Sequence, residues 1–168
     1  MKHYLNLDAI TDLQSAIDEV IKLKKNPYAS EDLGRQKTLG MLFFNPSLRT
    51  RLSTQKAAQH LGLKTMIMNF SNESWALEFE DGNKMSGLRS EHIKEAAAVV
   101  SQYCNIVAIR AFASLGNKEK DEKEQVLKSF ARYTSIPVIN MESATAHPLQ
   151  ALADAVTIRE QLFTKRPK

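Results

Sequence analysis

Three short stretches of this chain hold side chains that could do chemistry, and each follows an apolar run. The first is Asn45-Pro46-Ser47-Leu48-Arg49-Thr50-Arg51, directly after KTLGMLFF. A helix opening at Ser47 presents unpaired backbone N–H groups and the positive end of its dipole, a setting that favours an anion. The Ser47 and Thr50 hydroxyls and the Arg49 guanidinium in the same turn complete a phosphate cradle, because Arg offers a planar fork to two oxygens. It differs from a P-loop, having no glycine run and no Lys-Ser/Thr pair. A plain Ser47 helix cap followed by two solvated arginines fits the same residues. The second place is Arg110, at the end of NIVAIR. A lone Arg ending an apolar strand must find an anion or reach solvent; an ordinary strand-end charge is the alternative. The third is His147 in AHPLQ, before a proline that opens a helix, with Gln150 one turn later. Such a pair can polarise a carbonyl and hold an amide, or serve as a capping His and a surface Gln. His3, His60 and His92 have no comparable setting and read as surface residues. Cys104 reads as a small buried apolar side chain.

The elements that must position these groups alternate. Thr11 and Gln14 form a capping box for a helix carrying Leu13, Ile17, Val20 and Ile21, ended by Asn26-Pro27. Lys37 to Phe44 reads as a buried strand. A helix then runs from near Ser47 to about Leu61, with Gly62 at its C-terminal cap. Lys64 to Asn69 is a second strand, while residues 70–89 carry no clear period and hold the only Trp, Trp75. A helix over about Glu91 to Gln102 with Ser90 as its cap, a strand at Asn105 to Arg110, a helix from about Lys120 to Tyr133 with Val126, Leu127 and Phe130 inward, and a short strand at Pro137 to Asn140 follow. The last helix opens at His147-Pro148, with Pro in its favoured first-turn place and Leu149, Leu152, Ala153 and Val156 inward. One helix and then four strand–helix units predict an α/β fold: a single domain with an open parallel sheet of about four strands and helices on both faces. Ligands gather at the C-terminal strand ends of such sheets. All three places fall there.

Composition limits the function classes. The chain has 168 residues, 23 Lys plus Arg against 19 Asp plus Glu, 25% charged and 43% hydrophobic residues. These values exclude a disordered or fibrous chain. No apolar run reaches the roughly 20 residues of a membrane helix, and the N-terminus does not read as a secretory signal. One cysteine cannot form an internal disulfide, so a reducing, cytoplasmic setting is expected. The sequence pI of about 9.2 raises nucleic acid as a partner. The basic residues are interleaved with acids, as in KEKDEKE at 118–124, which argues for a solvated face instead.

FFNPSLRTR, then Arg110 in VAIRAF, then HPLQALAD, in that order and spacing, resemble the aspartate/ornithine carbamoyltransferase family. The first matches its Ser-x-Arg-Thr carbamoyl-phosphate motif and the last its His-Pro-x-Gln motif. Leu48 departs from the Thr of ordinary ornithine enzymes. ESWALEFEDG with Trp75, and NMES before the His segment, look like the branch that carbamoylates N-acetyl- or N-succinylornithine. The resemblance implies that Ser47, Arg49, Thr50 and the Leu48 N–H bind the phosphate of carbamoyl phosphate. It directs Arg110, His147 and Thr50 to the carbamoyl oxygen and Gln150 to its amide nitrogen. It places Glu142 near N-acylornithine and sends Trp75 into the site of a neighbouring subunit of a homotrimer. No cofactor, metal, nucleic acid or membrane is implied. Residues 1–150 would form the carbamoyl-phosphate domain, and 151–168 would begin the helix leading to an amino-acid-binding domain absent from this sequence. A non-catalytic phosphate-binding and trimerisation module is the alternative reading.

Overall fold

The strand Thr38–Phe43 (β1) is buried from its second residue onward, as an apolar run without alternation must be when both faces of a parallel sheet are covered. The structure, a computed structural model, describes residues 2–70, 76–79 and 91–164. Around β1 the chain builds α1 (Leu13–Lys25), α2 (Leu48–His60), β2 (Lys64–Asn69), β3 (Leu77–Glu78), β4 (Glu91–His92), α3 (Ile93–Tyr103), β5 (Ile106–Ala111), α4 (Lys118–Glu122), α5 (Gln125–Tyr133), β6 (Val138–Ser143) and α6 (Pro148–Thr164). The main sheet has the order β2-β1-β5-β6, all parallel. A two-residue parallel pair, β3 with β4, stands apart from it.

Alternate residues of β1 feed two cores. Leu39, Met41 and Phe43 pack with Ala58 of α2, Ala108 and Met141 on one face. Leu42 joins Val107, Ile109 and Val138 under α3 and α5 on the other, with Ile93, Ala97, Val100, Leu127 and Phe130. Helices thus cover both faces, as expected. Gly40 lets α3 end close to the sheet: a Cβ there would lie 2.8 Å from the Cys104 sulfur. Cys104 is buried, and burial pushes its thiol pKa up.

Several elements differ from the sequence reading. Asp12, not Thr11, caps α1, accepting from the Ser15 N–H at 3.0 Å; its charged carboxylate suits the positive helix end better than a hydroxyl. The Gln14 side-chain oxygen accepts from Arg159 of α6 instead. His92 caps α3 through Nδ1, so it is not a free surface residue, and Ser90 lies outside the described residues. The helix expected from Lys120 to Tyr133 is two helices, broken at Glu124, which has φ 47°. No residue of α4 is buried, so nothing holds that charged turn in line with α5. The strand β6 runs on to Ser143, beyond the polar residues that masked its end. Its partner register shifts at Arg110. On α6, Val156 is buried, but Leu149 and Ala153 are exposed.

Gly40→Ala should destabilise the fold by about 1–3 kcal/mol through overpacking. Combined with Cys104→Ala the losses should be less than additive, because the removed sulfur is the atom the new methyl meets. Urea unfolding of both single variants and the double variant measures this, and strict additivity contradicts it.

Candidate functional site

β1, β5 and β6 end side by side, and the register sets Phe43, Arg110 and Glu142 in one row across them. Two helix N-termini flank that row, α2 after β1 and α6 after β6. All three places singled out in the sequence therefore share one sheet edge.

At α2, Ser47 is the N-cap. Its Oγ accepts from the Thr50 N–H at 3.3 Å and donates to Thr50 Oγ1 at 2.9 Å. Because Ser47 supplies that proton, the hydroxyl proton of Thr50 is left for a ligand. The first-turn N–H groups, that of Leu48 among them, have no acceptor within the helix. Arg49 is exposed and available to an anion arriving at that turn. Arg51 is used differently: Nη2 donates to Asn69 Oδ1, and the guanidinium lies 4.9 Å from the Phe43 ring centroid. It fastens α2 to the ends of β2 and β1.

Arg110 finds its anion within the fold. Nε and Nη2 each lie 2.8 Å from Glu142 Oε2. Nη1 donates to the carbonyls of Asn45 and Pro46 at 3.2 Å each, and the Asn45 side chain accepts from the Phe112 N–H at 2.7 Å. Of the five guanidinium donors, one N–H on Nη2 is left by these contacts.

At α6, His147 Nδ1 accepts from the Gln150 N–H at 3.4 Å, which puts the proton of a neutral ring on Nε2. Gln150 Nε2 donates to Asp154 at 2.8 Å, leaving its carbonyl oxygen as the acceptor. The turn before His147 closes through the Ser143 N–H and the Ala146 carbonyl at 2.8 Å. Three residues outside the sequence-derived site hold that turn. Buried Asn140 donates through Nδ2 to Leu5 O, Ser143 Oγ and Ala146 O. Tyr4 Oη donates to Pro148 O at 3.3 Å. Glu124 Oε1 accepts from Ser143 Oγ, from Thr145 Oγ1 at 2.8 Å and from the Thr145 N–H at 3.2 Å.

An Asn inside an apolar strand is a readable signal for a buried, bonded amide; Glu124, inside a run of mixed charge, gave none. Burial pushes the Glu124 pKa up, but the Ser143 and Thr145 donors and Lys128 outweigh it, and the group sits below its ordinary value. His3 is also not a free surface residue: Nδ1 accepts from the Val138 N–H at 3.2 Å, and burial, then Lys2, lowers its pKa. His60 packs edge-on against Tyr28. Trp75 lies outside the described residues.

The family model of the aspartate/ornithine carbamoyltransferase carbamoyl-P binding domain matches residues 2–160. The chain belongs to that family. It is 45% identical over 168 residues to the N-succinylornithine carbamoyltransferase of Bacteroides thetaiotaomicron, covering 100% of this chain and 53% of that protein. It is 38% identical over 167 residues to the N-acetylornithine carbamoyltransferase of Xanthomonas axonopodis pv. citri, covering 98% and 48%. A crystal structure of acetylornithine transcarbamylase complexed with acetylcitrulline superimposes with a TM-score of 0.89 at 37% identity, covering 96% of this chain and 48% of that one. A point variant of N-acetyl-L-ornithine transcarbamylase complexed with carbamyl phosphate and N-succinyl-L-norvaline gives 0.88 at 38% identity, with the same coverage. The chain spans about half the length of the curated relatives it matches.

Two outcomes test this geometry. Arg51→Ala should lower stability by about 1–2 kcal/mol, having lost a hydrogen bond and a cation–π contact, whereas Arg49→Ala should change it by less than about 0.5 kcal/mol; denaturant midpoints compare them. Glu124 has a folded pKa below its unfolded one, so its stabilisation is full above the unfolded value and is lost as pH falls through that value and on through the folded one. Acidification from neutral pH through the ordinary carboxylate range should therefore destabilise wild type more than Glu124→Gln, measured as urea midpoints at each pH.

Proposed function

We propose that this chain supplies the carbamoyl-phosphate half of an N-acylornithine carbamoyltransferase. The observation that carries the reading is Arg110, held between two helix N-termini with one donor left over. In this reading the α2 turn takes the phosphate group through the Leu48 N–H, the Arg49 guanidinium and the Ser47 hydroxyl, whose proton turns from Thr50 to the bound anion. The remaining Arg110 N–H, His147 Nε2–H and the Thr50 hydroxyl converge on the carbamoyl oxygen. The Gln150 carbonyl accepts from the carbamoyl NH2. Trp75 of a neighbouring subunit completes the phosphate side in a homotrimer, and the enzyme works in the cytoplasm.

The side-chain amine of N-acylornithine then attacks the carbamoyl carbon. A C–N bond forms, the C–O bond to phosphate breaks with its electron pair going to phosphate, and the proton lost by the amine balances on that phosphate. The products are an N-acylcitrulline and phosphate, a step of arginine biosynthesis. Negative charge grows on the carbamoyl oxygen in the tetrahedral transition state, where fixed donors act most strongly; loss of one typically costs about 100- to 1,000-fold in rate. Glu142 Oε2 is committed to Arg110, and its second oxygen faces the acceptor substrate. The similarity to carbamoyltransferases of N-succinyl- and N-acetylornithine supports the substrate class.

Calorimetry with carbamoyl phosphate and with inorganic phosphate tests the proposal. Both should bind wild type; Arg49→Ala should lose both, and Arg110→Ala should weaken carbamoyl phosphate more than phosphate. Turnover of N-acylornithine by this chain alone should be slight, since positioning both reactants accounts for about 7–11 kcal/mol of such barriers. Absence of carbamoyl-phosphate binding overturns the proposal, and turnover matching that of a full-length relative overturns the half-site assignment.

A further inference from the structure

We propose that Glu124 is a positioning residue for His147, acting across the fold on the turn that carries the imidazole; its functional part rests on the carbamoyl-transfer reading. Glu124 lies between α4 and α5, far in sequence from the site, yet one of its carboxylate oxygens takes three donors from the turn after β6. These are Ser143 Oγ, Thr145 Oγ1 at 2.8 Å and the Thr145 N–H at 3.2 Å. To reach them it adopts φ 47° and ψ 44°, a left-handed conformation that costs a non-glycine residue free energy and persists only where surroundings enforce it. That conformation splits the expected helix in two.

The same Ser143 Oγ receives Asn140 Nδ2 at 3.0 Å and the Ala146 N–H at 3.3 Å. Glu124 therefore orients the one hydroxyl on which the turn converges. With the Ser143 proton committed to the carboxylate, its oxygen accepts from Asn140 and from Ala146, the residue next to His147. His147 in turn caps α6 through Nδ1, so the chain of contacts fixes which ring nitrogen faces out as a donor. Glu124 touches neither expected ligand group. Its loss should release the α6 cap and the carbamoyl end of the site while sparing the phosphate cradle on α2, which shares none of these bonds.

The test compares wild type, Glu124→Ala and Glu124→Gln in the full chain. Amide hydrogen exchange followed by NMR reads the cap directly. In Glu124→Ala the Gln150 N–H should exchange at least tenfold faster while the Thr50 N–H of α2 keeps its protection. Glu124→Gln, which keeps an acceptor at the same reach, should return Gln150 toward wild type. Calorimetry should show carbamoyl phosphate bound at least fivefold more weakly by Glu124→Ala and inorganic phosphate within twofold of wild type. If Glu124→Ala does not fold, Thr145→Val, at an exposed position, should shift both readouts in the same direction to a smaller extent. Unchanged Gln150 exchange overturns the proposal, and so does equal weakening of the two ligands. A wild-type chain that binds neither ligand overturns the carbamoyl-transfer reading instead, and Gln150 exchange then decides by itself whether Glu124 holds the turn.

Discussion

The site is organised by one guanidinium. Arg110 stands at the end of the central strand pair, where a charge without a partner would be costly to shield. Its neutralisation ties together three segments distant in sequence: β5, β6 and the turn between β1 and α2. The register shift in β6 is what makes this possible. With unbroken pairing the residue opposite Arg110 would be Met141, whose thioether cannot balance a charge. One extra residue brings Glu142 opposite instead, while Met141 turns into the core beside Leu39 and Phe43. A β-bulge here re-aims a side chain, as bulges beside functional sites commonly do.

Around that ion pair the sheet does the rest by polarity alone. Parallel strands end on a common edge, and each following helix begins there with its amide groups pointing back over it. The two helix mouths are chemically unlike. α2 is capped by a hydroxyl and leaves exposed cationic and hydroxyl donors; α6 is capped by an imidazole whose outer nitrogen remains a donor. Ser47 and His147 are each held in place by the backbone they cap. At His147 capping engages Nδ1 alone, so the cap leaves the second ring nitrogen uncommitted.

How much of this was legible follows from periodicity. The four main strands, and the helices that carry strong apolar spacing, were readable because each must bury a face. The three site motifs were readable because reactive side chains directly follow those strands. What escaped was set by partners remote in sequence. The end of β6 was hidden because Asn140 and Glu142 are polar, and only their distant partners Leu5 and Arg110 make them fit a strand. The break at Glu124 was invisible because a carboxylate among alternating charges looks solvated until the turn it serves is placed beside it. His3 looked like a surface residue because its backbone partner, Val138, emerges only with the fold, whereas His92 was missed because a His is not among the usual helix caps, although the Lys94 N–H it accepts is local.

The stretch from His3 to Leu5 has a consequence for handling the protein. Tyr4 pairs in parallel with Ile139, its N–H donating to Val138 O and its carbonyl accepting from Asn140 N. This short stretch lies along the outer margin of β6 as a selvedge, closing peptide groups that would otherwise offer a template to another extended chain. A fusion partner or truncation that pulls on these few residues would bare that margin and loosen Pro148 at the same moment. Aggregation and a disturbed α6 mouth would then arrive together, from a change made far from the reactive groups in sequence.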